Sequence, residues 1–295
     1  MQLFHVDAFT HTRFTGNPAC VVLDADACDD ARLAAIARAY PHAEVAFVLA
    51  ATAADHDCVL RFFNARKEMP FVGHATIAAH AVLHAVGRRG LGVLRQNSGT
   101  GIIAVSALDE PPGSAGPTIE FRQGLPELSA PLAEAMRPRL AEALGVATRL
   151  LHYDLPPVIA RKGSTRLLLP VANAEVLDGI TPDFEALVAL GLTIGAEGFF
   201  AFTESGEAAT DARMFCPALG IDEDPVSGNA HAMLAAYLWH YGRLDASTRE
   251  FLGRQGRRMG RPGKVRVRLE LAGGQLVAVG IGGHAVIVSI EDIVG

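Results

Sequence analysis

The sequence predicts an α+β fold made of two similar domains, and three observations carry that expectation. An almost wholly apolar segment, Ala75 to Val86, follows a tight turn at Glu68-Met-Pro-Phe-Val-Gly73. A surface helix would show a polar stripe, so this helix is expected to be buried on every side. The pattern then recurs: Pro225-Val-Ser-Gly228-Asn229-Ala230 answers Pro70-Phe-Val-Gly73-His74-Ala75, and Gly242 closes the second segment as Gly87 closes the first. Upstream, Arg213-Met-Phe answers Arg61-Phe-Phe, and Phe200-Ala-Phe-Thr answers Val45-Ala-Phe-Val. Several blocks in the same order read as a single duplication rather than a solenoid array. Finally, helices and antiparallel-style strands interleave without the regular βαβ rhythm of a doubly wound sheet. The two helix starts are expected to face a common cleft.

Taken in order, the alternation of Leu3, His5 and Asp7 against Phe4, Val6 and Ala8 predicts a first strand. Phe14-Thr-Gly-Asn-Pro-Ala19 is a turn by composition, and Cys20 to Leu23 resumes as a strand. Asp29 to Tyr40 starts acidic and places Leu33, Ile36 and Tyr40 at helical spacing. The turn Pro41-His-Ala-Glu44 delivers Glu44 immediately before a buried strand, Val45 to Leu49, and Cys58 to Phe63 is another. Gly87, followed by Arg88 and Arg89, caps the first central helix. Residues 99–105 and 118–122 read as strands separated by the Pro/Gly/Ser-rich loop 110–117. That loop and the stretch Gly124 to Pro138 mark the expected crossover between domains, 1–117 with 282–295 and 118–281. The second half repeats the mixture: strands at 165–171, 198–203 and 212–215, a helix at 182–190, the second central helix, and closing strands at 265–271, 275–279 and 285–290.

Composition bounds the function. With 295 residues, half of them hydrophobic and a fifth charged, the chain can bury a substantial core. A net charge of −6 argues against nucleic acid or an anionic membrane as the main partner. The N-terminus lacks the basic start and unbroken apolar run of a signal peptide. Four cysteines without CxxC or zinc spacing fit a reducing cytoplasm, and they read as core packing.

Glu44 is a candidate general base, because an apolar setting at a turn-to-strand junction would raise its pKa toward a useful value. An exposed loop glutamate is the competing reading. His74 and Asn229 occupy equivalent places directly after Gly73 and Gly228, where free helix-start amides could hold an anion; ordinary helix capping is the alternative. Asp224 precedes Pro225 and could simply form the turn, as could Glu68 and Glu223. His80 and His84 stand four apart but lack an acidic third ligand, so core histidines are expected and no metal. Gly99-Thr-Gly101 is no phosphate loop, and Ser98, Ser164 and Ser227 lack a nucleophile elbow.

At these residues the sequence resembles the PhzF-like family of phenazine biosynthesis. The matching blocks are Phe9 with Gly16-Asn-Pro-Ala19, His42-Ala-Glu-Val-Ala-Phe-Val48, Arg61-Phe-Phe, Glu68 to Thr76, Arg213-Met-Phe-Cys-Pro217 and Gly220 to Ala230. The resemblance implies a diaminopimelate epimerase-like fold: two pseudo-symmetric domains, each a β-barrel-like sheet around a central helix. It implies a cofactor-independent isomerase of the trans-2,3-dihydro-3-hydroxyanthranilate isomerase type, acting on a small unsaturated carboxylate, and a homodimer. Glu44 matches the acid/base carboxylate, and His74 and Asp224 match residues that contact the substrate. Gly73, Gly228, Ser227 and Asn229 are its expected binding groups. Epimerases of the wider fold place a cysteine before each turn glycine; Val72 and Ser227 stand there, which disfavours a two-thiol racemase. A non-catalytic binding protein and a thiol-independent epimerase are the competing classes.

Overall fold

Parallel strand pairs joined by crossover helices organise each half of the chain. The computed structural model describes residues 1–110, 116–152, 154–206 and 209–293. Most of the loop predicted at 110–117 therefore lies outside the described residues. The first half runs β1 (Gln2–Ala8), β2 (Asn17–Leu23), α1 (Asp30–Ala39), β3 (Glu44–Ala50), β4 (Cys58–Phe63), β5 (Glu68–Met69), α2 (Gly73–Ala85), β6 (Gly92–Ser98), β7 (Gly101–Leu108) and β8 (Thr118–Gly124). The second half runs β9 (Glu127–Leu128), α3 (Arg137–Ala143), β10 (Val158–Arg161), β11 (Thr165–Pro170), α4 (Ala174–Gly179), α5 (Phe184–Ile194), β12 (Gly198–Glu204), β13 (Ala209–Cys216), β14 (Ile221–Asp224), α6 (Gly228–His240), β15 (Glu250–Gln255), β16 (Gly263–Ala272) and β17 (Gln275–Gly283). The last strand, β18 (Ala285–Asp292), pairs with β1. By contact density the chain divides into two units, Met1–Arg122 with Ile281–Gly295, and Gln123–Gly280.

In the first unit β2 lies parallel to β3, β3 antiparallel to β4, and β4 parallel to β6. In the second, β11 lies parallel to β12, β12 antiparallel to β13, and β13 parallel to β15. A parallel pair cannot be closed by a hairpin. Helix α1 or α2 therefore spans each such pair in the first unit, as α4 with α5, or α6, does in the second. These parallel ladders stand among antiparallel ones of the kind expected, such as β1 with β2, β6 with β7 and β15 with β16. Six of the described strands were not expected, β5, β6, β9, β10, β14 and β15, and two of them, β6 and β15, are equivalent. In Gly92-Val-Leu-Arg-Gln-Asn-Ser98 and Glu250-Phe-Leu-Gly-Arg-Gln255 the apolar residues stand side by side rather than alternating, although β15 buries every second residue, Gln255 among them.

The ladders also correct the repeat alignment by one position. Phe47 stands opposite Arg61, and Ala201 stands opposite Arg213. With the two arginines equivalent, Val45 corresponds to Phe199 rather than Phe200, and Glu44 corresponds to Gly198. The parallel ladders agree, pairing Ala19 with Glu44 and Arg166 with Gly198.

Helices α2 and α6 are thirteen residues each and buried nearly all round, as their apolar sequences require. Ala75, Ala78, Ala79, Val82 and Leu83 pack against Phe4, Val21, Ala46, Leu60 and Phe62 on one face of the first unit's sheet. Leu33 and Ile36 of α1 pack against Cys20, Val45 and Phe47 on the other. Burying one large aliphatic side chain contributes about 1.5–3 kcal/mol, so each helix is held chiefly by packing. Both end in glycine at positive φ, Gly87 at 74° and Gly242 at 68°. There the Arg88 amide donates to Leu83 O and the Arg243 amide to Leu238 O, each at 2.8 Å. No helix among the described residues is long and apolar enough to cross a membrane.

Candidate active site

Glu44 opens β3, where its neighbours on both sides fix its height: Ala19 across the parallel ladder and, one residue on, Val45 opposite Phe63. The start of α2 brings His74 to it, with Nε2 3.2 Å from Glu44 Oε2. Both side chains are mostly covered, at 12% exposure for His74 and 27% for Glu44. Burial pushes the Glu44 carboxyl upward. The His74 hydrogen bond and charge, helped by Glu44's own amide, outweigh it and hold the group below the usual glutamate value. A raised pKa was expected from the apolar neighbours in sequence, Ala43 and Val45, but these pack into the core beneath α1, and the direction is set elsewhere. The carboxylate's decisive neighbour lies thirty residues downstream in the chain, on another element.

Gly73 does not adopt a left-handed backbone. A Cβ there would stand 3.1 Å from Phe121 Cζ, so any side chain would have to push that ring of β8 aside by a few tenths of an ångström. The N-cap residue Val72 gives α2 no side-chain cap. Gly99, no phosphate-loop glycine, closes onto this turn: a Cβ would lie 2.7 Å from Pro70 Cα. Gly256 closes likewise on the equivalent proline, with a Cβ 2.7 Å from Pro225 O.

The second helix start is held by side chains throughout. Ser227 caps α6, its Oγ accepting from the Ala230 amide at 3.3 Å, and its own amide donates to Gln255 Oε1 at 3.0 Å. Gln255 Nε2 donates in turn to the Asp224 carbonyl at 2.7 Å, which ties the end of β14 to β15. Asp224 itself is half-buried, opposite Met214 on β13. Asn229, in the place of His74, donates to Ser164 Oγ at 2.9 Å and to Lys162 O at 3.2 Å. Its Oδ1 accepts from Gln123 Nε2 at 2.6 Å. Gly228 is buried at the first position of α6. Gln255 and Lys162 were not singled out from the sequence, and Ser164 only as a serine without a nucleophile elbow. Recognising β15 as the counterpart of β6 was the missing signal for Gln255.

Behind each turn sits an arginine pair. Arg213 grips Glu223 with two bonds of 2.9 and 2.8 Å and donates to the Leu177 and Ile180 carbonyls. Arg61 grips Glu68 with two bonds of 2.7 Å and reaches Asp30 at 2.7 Å. Such forked pairs fix geometry as well as adding energy, so Glu68 and Glu223 brace the turns before the helices.

His80 is buried between Gln96, whose Oε1 is 3.0 Å from Nε2, and Arg89, whose Nη1 is 2.5 Å from Nδ1. Arg89 only donates, so Nδ1 must accept and Nε2 donates to Gln96. Neither ring nitrogen retains a lone pair for a metal, and burial with the neighbouring Arg89 charge pushes the imidazole down to about 3. Cys20, Cys58 and Cys216 lie in the core, where burial pushes their thiols up to about 12, 11 and 12.

Comparison with known proteins gives the family and the fold. A family model described as phenazine biosynthesis-like protein matches residues 6–290. The protein named uncharacterized isomerase YddE of Escherichia coli K12 is 37% identical over 289 residues, 97% of this chain and 96% of that one. The PhzF-family phenazine biosynthesis protein of Bacillus anthracis has a solved structure with a TM-score of 0.86 at 26% identity, covering 100% of this chain and 99% of that one. A hydroxyproline epimerase from Agrobacterium vitis, solved with bound trans-4-hydroxy-L-proline, has a TM-score of 0.66 at 15% identity, covering 99% and 91%; this likeness shows the fold alone.

Proposed function

Because the chain belongs to the phenazine biosynthesis-like family and is an isomerase, we propose that it moves a proton along an allylic system in a small unsaturated carboxylate, without a cofactor. Glu44 removes the proton from one carbon and returns it to another. The observation that carries this reading is the 3.2 Å contact between Glu44 and His74. His74 keeps the carboxylate ionised at neutral pH, so Glu44 enters the reaction as a base. As the proton arrives, the carboxylate loses its charge and His74 loses its ionic partner. The imidazole is then free to face the negative charge developing on the substrate, which is where a preorganised donor helps most. Asp224, Ser227, Asn229 and the amides at Gly73 and Gly228 hold the substrate in this proposal, Asn229 chiefly by shaping its own loop.

The repeat supports one base rather than two. The counterpart of Glu44 is Gly198, where a Cβ would stand 2.8 Å from Cys216 Sγ and 3.1 Å from Phe215 O. No acid fits there. Val72 and Ser227 occupy the places of the two thiols of the wider fold. A single base that takes and returns a proton on one face suits an allylic shift better than inversion at one carbon.

Solvent deuterium incorporation tests the proposal. Wild type and Glu44→Gln are incubated in heavy water with linear and cyclic unsaturated carboxylates, including trans-2,3-dihydro-3-hydroxyanthranilate, and read by NMR. Wild type is expected to label one compound at a new carbon, and Glu44→Gln to lose about 10²–10⁴-fold in rate. Equal labelling by the variant would remove Glu44 from the mechanism, and label at a single stereocentre without double-bond movement would make the enzyme an epimerase.

A further inference from the structure

The turn that opens α6 is held from behind by His231, which belongs to none of the candidate sets above. Its imidazole is fully buried, with Nδ1 2.8 Å from the Ser227 carbonyl oxygen. That oxygen also accepts the His231 amide at 3.2 Å, the ordinary helical bond. A carbonyl only accepts, so Nδ1 carries the ring proton. Nε2 has no hydrogen-bond partner among the described residues. Burial pushes the imidazole down to about 4, which leaves the ring neutral near pH 7. The slot is cut to the ring: a Cβ at Gly253 would lie 1.9 Å from His231 Cδ2, and Phe200 meets the imidazole edge-on with centroids 5.2 Å apart.

The first unit makes the same bond with different chemistry. Thr76 occupies the equivalent helix position, and its Oγ1 donates to the Val72 carbonyl at 3.0 Å, beside the Thr76 amide at 2.9 Å. Neither carbonyl needs this second donor, since each already has its helical partner. A buried Nε2 without a partner works against stability. Two unrelated side chains that converge on one bond in a duplicated scaffold therefore point to the geometry of the turn.

We propose that His231 is a positioning residue. Its Nδ1–H fixes the Ser227 carbonyl, and with it the direction of the Gly228 and Asn229 amides and the Ser227 hydroxyl, as Thr76 does for the turn at Val72. The consequence for substrate rests on the proposed function, in which those groups hold a carboxylate.

Two replacements of matched shape separate the bond from the packing. His231→Thr copies Thr76, whereas His231→Val has the same volume and cannot donate. Amide exchange at residues 227–230 of the full chain is expected to be about tenfold faster in the valine variant than in the threonine variant, the equivalent of one net hydrogen bond. Equal exchange overturns the clamp. Nitrogen chemical shifts of the wild-type ring need no variant: a neutral Nδ1–H tautomer from pH 5.5 to 9, an interval on the order of that in which ordinary histidines titrate, is expected, and an Nε2–H tautomer overturns the assignment. In the deuterium assay the valine variant is expected to raise KM relative to the threonine variant, with the pH profile of kcat unmoved. Unchanged KM beside altered exchange would overturn the substrate role and keep the clamp. Absence of any wild-type turnover would count against the proposed function, while exchange and tautomer would still decide on His231.

Discussion

The two central helices begin alike and are finished differently. At Val72-Gly73-His74 the cap residue offers no side-chain bond, and His74 turns to a carboxylate on a neighbouring strand. At Ser227-Gly228-Asn229 the cap is a serine, Gln255 holds its amide, and Asn229 makes three bonds within its own unit. Duplication supplied one scaffold twice, with the same parallel ladders, arginine braces and glycine stops. The Glu44–His74 pair stands in one copy, and side-chain hydrogen bonds of Gln255 and Asn229 take its place in the other. Where the first copy has the carboxylate, the second has Gly198, and that strand lies close against Cys216 and Phe215.

The arginine braces give the largest expected contrast. Arg213 and Glu223 are 9% and 15% exposed, so removing one partner leaves a buried charge. Arg213→Met should cost about 3–5 kcal/mol in denaturant unfolding. Arg61 and Glu68 are 26% and 44% exposed, and Arg61→Met should cost about 0–1 kcal/mol. Equal losses would show that the two braces do not differ through burial. Gly198→Ala comes next. The added methyl must displace Cys216 Sγ or the Phe215 carbonyl, and overpacking of this kind costs about 1–3 kcal/mol. A variant as stable as wild type would show that the strand can accept a side chain, and a second base at this position would no longer be sterically disfavoured.

Much of this was legible in the sequence because it rests on local pattern. All-round apolarity announces a buried helix whatever surrounds it, and glycine at a helix end announces the stop, so α2, α6, Gly87 and Gly242 could be read directly. The doubled Pro-x-x-Gly turn showed the duplication. Register could not be read this way: the phenylalanine-rich strands β3 and β12 align almost equally well one residue apart, and only the ladders decide that Glu44 answers Gly198. Strands β6 and β15 escaped notice because their polarity serves partners far off in the chain, such as Gln96 for His80 and Gln255 for Ser227. The Glu44 pKa went the wrong way for the same reason. Its cause is a histidine on another element, which no window around residue 44 contains.

The smallest effect on stability, and the sharpest on mechanism, is expected from His74→Gln. With His74 present the folded Glu44 carboxyl lies below its unfolded value. The pair therefore adds stability at pH above the ordinary glutamate value, and that contribution fades as pH falls through the lower, folded value. Glutamine removes the charge and leaves burial, which acts in the opposite direction, so the carboxyl should rise. The acid limb of kcat/KM should then move to higher pH, since that limb reports the free enzyme's essential base. Asn229→Ala is the matched change in the other copy. It breaks three bonds to neighbouring groups but touches no carboxylate, so it should lower substrate affinity and leave the acid limb in place. A limb that moves with Asn229→Ala and stays with His74→Gln would reverse the assignment of the two helix starts. A limb that moves with neither would mean that Glu44 is not the group whose ionisation the reaction needs.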